Sequence, residues 1–167
     1  MDLQPTLTGA TVILRPIEPE DLEPMFLAAS DPLIWEQHPA SDRYQRDVFE
    51  RFFQDALEWG SSFAILDKQS GEIIGSSRFR VMEDHPEALE IGWTFLTRTY
   101  WGGKTNPEVK QMMIEHAFKA YGKVIFTIGA NNWRSRRAVE KIGGQFEPEW
   151  FPPEVTDKVV YSISRSQ

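Results

Sequence analysis

The stretch from Ala88 to Gly129 constrains the fold more than any other part of the chain. It opens with ALEIGWTFL, rich in β-branched and aromatic residues, passes through the polar loop TRTYWGGKT, and closes with the β-branched run KVIFTIG. Between the loop and the closing run, Asn106, Pro107 and Glu108 offer an N-cap, a first-turn proline and an early acid, which predicts a helix starting at Pro107. Val109, Met112, Met113, Ala117 and Phe118 give that helix an apolar stripe reaching about Tyr121. A helix between two strands is the connection parallel neighbours require, whereas antiparallel neighbours are joined by a short turn. The segment therefore predicts a strand–helix–strand crossover, and a chain that contains one builds an α/β sheet with helices on its faces.

The flanking sequence extends that sheet. TVILR, ending at Pro16, reads as a first strand. Pro19, Glu20 and Asp21 open a helix whose apolar positions are Leu22, Met25, Phe26 and Ala29 and which ends near Asp31-Pro32. Residues 33–43 read as a connection, and Val48, Phe52, Phe53, Ala56, Leu57 and Trp59 outline a second helix closed by Gly60. SFAILD, IIGSSRFRV and ALEIGWTFL, separated by KQSGE and EDHPE, form an antiparallel meander. Asn131 or Asn132 caps a helix over WRSRRAVEKI that Gly143-Gly144 terminates, and QFEPEWF and DKVVYSISR finish as strands. The expected fold is thus one α/β domain over residues 1–167, a mixed, mostly antiparallel twisted sheet of about six to seven strands with about four helices.

Composition removes several classes of function. Eleven Phe, six Trp and four Tyr, with 41% apolar residues, supply a core and exclude global disorder. A formal charge of -7 argues against a nucleic-acid partner, which calls for a basic footprint. With no cysteine there is no thiolate nucleophile, and the three histidines lack metal-ligand spacing, so no metal is expected. The opening MDLQPTLTGA lacks a basic start followed by an apolar run, and no stretch approaches a membrane span, so a cytoplasmic protein without membrane contact is expected.

Chemistry concentrates where the loop meets the helix, because backbone N–H groups and the helix dipole at such a junction favour a phosphate or pyrophosphate, and Lys104 adds positive charge. GGKT resembles the end of a P-loop, but Arg98 stands where that motif needs its first glycine, and KVIFTIG ends without a magnesium-binding Asp. His116 reads as a packed histidine. Tyr100, Trp101 and Tyr121 read as packing residues or channel walls, and Arg134, Arg136 and Arg137 as solvated helix charge that could also attract a phosphate.

The strand ALEIGWTFL, the loop RTYWGGKTNPE, the helix VKQMMIEHAF and the segment ANNWRSRRAVEKIGG resemble the acetyl-CoA core of the GNAT superfamily of N-acetyltransferases. The resemblance is to its ribosomal-protein alanine acetyltransferase-like branch, which ILRPIEPEDLEPMF also resembles. It follows the element order over residues 11–163. It is densest in 88–144, above all in the N-x-x-S-x-x-x-x-x-x-x-G pattern of Asn132, Ser135 and Gly143. Where the superfamily's pyrophosphate loop reads [QR]-x-x-G-x-[GA], this chain has Trp101, Gly102, Gly103, Lys104, Thr105 and Asn106, replacing the second glycine and the final small residue.

The resemblance implies acetyl transfer from acetyl-CoA to a primary amine by direct attack, with no metal. The pantetheine arm would lie along Phe95, Leu96 and Thr97, with the Leu96 N–H on the thioester carbonyl, and the pyrophosphate on residues 101–106. Asn132 would hold the pantetheine or cap its helix, Ser135 would hydrogen-bond the cofactor or donate to the departing sulfur, and Glu90 would serve as base. The acceptor would be a small-molecule amine or a peptide N-terminus. The chain's acidity favours a cationic acceptor, with Glu83, Asp84 and Glu87 contributing, and specificity would reside in the two early helices and residues 33–43. A homodimer stays open as the assembly. The competing class is a non-catalytic acyl-CoA-binding or regulatory module on the same fold.

Overall fold

The computed structural model describes residues 1–166. Eight strands form one sheet in the order β1-β2-β3-β4-β5-β6-β8-β7, where β1 is Leu7–Thr8, β2 Val12–Pro16, β3 Ser62–Asp67, β4 Ile73–Val81, β5 Ala88–Leu96, β6 Lys123–Gly129, β7 Gln145–Phe146 and β8 Lys158–Ser164. Every neighbouring pair is antiparallel except β5 and β6, which are parallel as the crossover requires. The strand beyond the six to seven expected is β1, a two-residue piece absent from the sequence reading, and the expected QFEPEWF strand contributes only Gln145–Phe146. Strands this short carry no readable alternation and exist because β2 and β8 offer an edge to pair with.

Five helices cover the sheet: α1 Leu22–Ala29, α2 Pro32–Trp35, α3 Arg46–Trp59, α4 Thr105–Ala117 and α5 Trp133–Lys141. The additional one is α2, a single turn within the expected 33–43 connection, N-capped by Asp31 onto the Leu33 N–H with Pro32 in its first turn. The expected start of the first helix is a 3-10 turn, Pro19–Asp21. Asp21 does more there than favour the dipole: it is buried and takes a two-pronged bond from Arg15, 2.8 Å at each oxygen. Gly60, at φ 73°, ends α3 in the left-handed conformation that glycine adopts without strain.

The start of α4 also differs from expectation. The helix begins at Thr105, two residues before Pro107, with Lys104 at the cap and no side-chain capping bond, so Asn106 is a first-turn residue and not the N-cap. Glu108 explains why: its carboxylate accepts the Thr11 N–H at 2.8 Å and contacts the Thr11 hydroxyl, pinning this turn to β2. The helix ends at Ala117, before Tyr121. Its buried residues are Val109, Lys110, Met113, His116 and Ala117, so the stripe includes two polar residues that hydropathy places outside.

Two apolar layers flank the sheet. Val109, Met113 and Ala117 of α4 and Val139 of α5 join Leu89, Ile91, Val124, Phe126 and Tyr161 on one face. Met25, Ile34, Trp35, Phe49, Phe52 and Phe53 from α1–α3 join Ala64 and Phe95 on the other.

Candidate active site

The parallel pair is short. β5 and β6 pair only through Ala88–Glu90 against Lys123–Ile125, and beyond Glu90 the two strands separate into a V. A bulge in β5 accompanies the parting: its register with β4 shifts between Ser76 and Arg78, and Trp93 takes φ 53°, left-handed for a non-glycine residue. The extra residue inverts the alternation. Leu89 and Ile91 face the α4 layer, but past the bulge Leu96 faces it and Phe95 turns to the α1–α3 layer. Glu90, Trp93 and Phe95 thereby share the α1–α3 face.

Glu90 is the last residue of β5 paired with β6, at the apex of the V, and is 3% exposed. Its carboxylate lies against the guanidinium of Arg80, its register partner on β4. The contact runs between Glu90 Oε2 and Arg80 Nε, both buried, so the negative charge at the apex is held against a cation.

The arms of the V are closed from the α4 side by Lys110. Its ammonium donates to the Thr94 hydroxyl of β5, which is 2.8 Å from the Ser77 hydroxyl, and lies 6.0 Å from the Phe126 ring centroid of β6. With no carboxylate beside it, burial pushes this lysine down to about 7. Hydropathy does not mark Lys110, but its spacing of three and seven residues from Met113 and Ala117 puts it on the buried stripe of α4.

Between the V and α4, the loop is held at three points. Tyr100 donates to Asp67 at 2.8 Å, Arg98 pairs with Asp31, and the Trp101 indole donates to the Leu96 carbonyl at 2.9 Å. Gly102, at φ 72°, and Gly103 have open space around them, and the first turn of α4 carries no side-chain cap. Trp101, Gly102, Gly103, Lys104, Thr105 and Asn106 therefore surround a helix N-terminus whose donors are free for an anion. Gly102→Val should strain the left-handed backbone and weaken coenzyme A binding. The expected result is a reduced thermal shift at saturating coenzyme A; a shift equal to the parent's would separate this glycine from the cofactor.

On the other arm, Asn132 is buried and caps α5, its Oδ1 accepting the Ser135 N–H at 3.4 Å. The cap therefore falls to Asn132 and not Asn131, while Ser135 stays half-buried one turn in. Asn132→Ala should cost about 0.5–2 kcal/mol by cap loss. Ser135→Ala, which leaves Val139 packed, should lower kcat more than cofactor affinity. Paired denaturation and steady-state kinetics check both; destabilisation with unchanged kinetics in each variant would reduce the segment to a capped helix.

Other expected residues lie elsewhere or do other work. Tyr121 follows the far end of α4 from the loop. His116 is buried, with Nε2 2.7 Å from the Asp2 carbonyl, and packs on Phe79. Arg134 and Arg136 are not solvated charge: Arg134 stacks 3.9 Å over Trp101 and donates to the Ile34 carbonyl, and Arg136 stacks 4.1 Å over Trp133 and donates to the Ala130 carbonyl. Arg137 is exposed. Among the described residues, no cluster of three or more His, Asp or Glu could hold a metal, and no helix is long and apolar enough to cross a membrane.

A V opened between parallel strands, with a helix N-terminus at its mouth and a buried carboxylate at its apex, places a backbone edge, an anion site and a proton acceptor in one cleft. The profile of the Acetyltransferase (GNAT) domain matches residues 11–145, and the chain belongs to that family. It is 30% identical over 118 residues to the uncharacterised N-acetyltransferase p20 of Bacillus licheniformis, a match covering 68% of this chain and 66% of that protein's length. Its fold superposes on a GNAT-family acetyltransferase from Bacillus anthracis with TM-score 0.78 at 19% identity, covering 96% of this chain and 98% of the other. It also superposes on the microcin C7 self-immunity acetyltransferase MccE, solved with acetyl-CoA and AMP, with TM-score 0.77 at 13% identity, covering 98% and 99%.

Proposed function

We propose that this protein transfers an acetyl group from acetyl-CoA to a primary amine by direct attack. The observation that carries the reading is the end of β5–β6 pairing at Glu90, which leaves the backbone of the following residues unpaired on the β6 side with a buried carboxylate at the apex. Acetyl-CoA supplies the thioester. The residues present fit it: Phe95, Leu96 and Thr97 pair with β4 but not with β6, which leaves the Leu96 N–H on the open side for an amide-containing arm, and the uncapped turn of α4 with the open glycines at 102 and 103 offers donors to a pyrophosphate. Lys104 replaces the usual second glycine and contributes charge in place of close backbone approach.

In this reading Glu90 accepts the proton that the amine loses, the Leu96 N–H polarises the thioester carbonyl, and Ser135 donates toward the sulfur. The new C–N bond forms as the C–S bond breaks, and the thiolate leaves with a proton. The chain acts as one domain over residues 1–167 in the cytoplasm, alone or as a homodimer, without nucleic acid or membrane. The sequence resemblance to the ribosomal-protein alanine acetyltransferase-like branch keeps a peptide N-terminus beside small amines as acceptor.

Incubating the protein with labelled acetyl-CoA and a panel of amines and peptides, read by mass spectrometry, tests the reading. Acetylated amine supports it. Saturable coenzyme A binding without transfer to any amine would make the chain a non-catalytic acyl-CoA module.

A further inference from the structure

On the α1–α3 face, beside the V, a cavity of about 260 Å³ is lined by Arg43, Arg51, Phe52, Asp55, Arg78 and Trp93. Arg78 is the unusual member. It extends from β4, is 3% exposed, and has no carboxylate within ion-pair distance among the described residues. Its guanidinium lies 5.5 Å from the Phe52 ring centroid, 5.3 Å from Trp59 and 5.0 Å from Trp93, and its Nε has no hydrogen-bond partner. Arg43 enters from the loop after α2 and stacks 4.3 Å over Phe52 and 5.2 Å over Trp35. Burial pushes both arginines down to about 10, which leaves both charged at neutral pH.

Burying a guanidinium without a paired counter-charge is costly, and three arginines around one cavity repel one another, offset by Asp55 and, at Arg43, by Asp42 at longer range. Aromatic rings cover the faces of such a cation but not its edge, so the in-plane N–H donors remain for an acceptor. A carboxylate or a phosphate supplies what the cavity lacks. Its distance from the apex of the V is also set: Arg78 opposes Gly92 and Arg80 opposes Glu90, so the two arginines stand two residues apart on one face of β4. At strand rise that is roughly 7 Å.

Resting on the acetyl-transfer reading above, we infer that the acceptor is a small amine that also carries an anionic group, carboxylate or phosphate, which Arg78 and Arg43 bind about 7 Å from the amine held at Glu90. Acceptor recognition is thereby opposite in sign to the chain's overall charge. The cationic acceptor suggested by net charge is replaced by a zwitterionic one of amino-acid or amino-phosphate size. The residues that read it come from the 33–43 region, α3, β4 and the bulge.

The test uses matched pairs: the twenty free amino acids against their amides, and O-phosphoethanolamine against ethanolamine. Each is offered to the parent, Arg78→Met and Arg43→Met, with binding read by tryptophan fluorescence and transfer by mass spectrometry with acetyl-CoA. Expected is saturable binding and acetylation of acidic members, with their uncharged partners at least roughly tenfold weaker, and a comparable loss in each arginine variant, as befits a charged hydrogen-bonded contact. The coenzyme A thermal shift should be retained in both variants, which reports that they fold; if only one folds, that one decides. The carboxylate and phosphate pairs separate the two sources of anion. Amides acetylated as well as acids, acids bound equally by a folded arginine variant, or no acidic member bound at all would overturn the inference. Acids bound through Arg78 but never acetylated would instead overturn the transferase reading and leave the anion site standing.

Discussion

Glu90→Gln should lower turnover by roughly 10²-fold or more, with coenzyme A affinity unchanged, as removal of a general base does. The substitution keeps the shape of a buried side chain at the apex of the V while removing the negative charge that Oε2 holds against Arg80. The rest of the Arg80 side chain is 39% exposed, and the Gln amide oxygen can still accept from its buried Nε–H, so the fold should tolerate the change. The measurement is kcat and kcat/KM across pH with coenzyme A binding in parallel. The parent's rate should exceed the variant's across the range, with both rising as the amine loses its proton. Parental turnover throughout the acidic limb would show that Glu90 is a structural partner of Arg80, with the proton taken by water or another group.

The second large effect is on stability. Lys110 titrates near its ordinary value of 10.5 in the unfolded chain, whereas burial holds it at about 7 in the fold. Between those values the unfolded chain binds the extra proton, so stability should rise with pH from about 7 to 10.5. The penalty is absent above the unfolded value, grows as pH falls and is complete below the folded one. Lys110→Met, a similar volume without the charge, should remove that slope and stabilise the protein at pH 6 by on the order of 2 kcal/mol or more, less whatever the Thr94 bond contributed. Denaturant unfolding at pH 6, 7.5 and 9 decides it. Parallel curves for parent and variant would mean that water reaches the ammonium and the lysine is not dry.

Much of the scaffold was legible because its causes are local. Gly60 and Gly143 end helices where a left-handed residue is needed, at φ 73° and 98°, and Asn132 caps α5 through a bond three residues ahead. The meander SFAILD, IIGSSRFRV, ALEIGWTFL pairs as read, and the crossover to KVIFTIG is parallel. Misreadings came where a distant residue overrides a local signal. Asn106-Pro107 reads as a helix start, yet Glu108 bonded to Thr11 sets the turn earlier. Arg134 and Arg136 read as solvated charge, yet Trp101 and Trp133 lie under them.

By itself, the sequence determined the order of the long strands and helices and the one parallel pair, since periodicity, capping and turn chemistry act over a few residues. Only the tertiary structure decided where β5 leaves β6, that the bulge at Trp93 puts Glu90 and Phe95 on one face, that Lys110 lies dry between the arms of the V, and that Arg78 is buried among three aromatic rings without a carboxylate. Those properties depend on which strands and helices meet across tens of residues. The energy of a buried charge is set by those neighbours and not by its place in the chain.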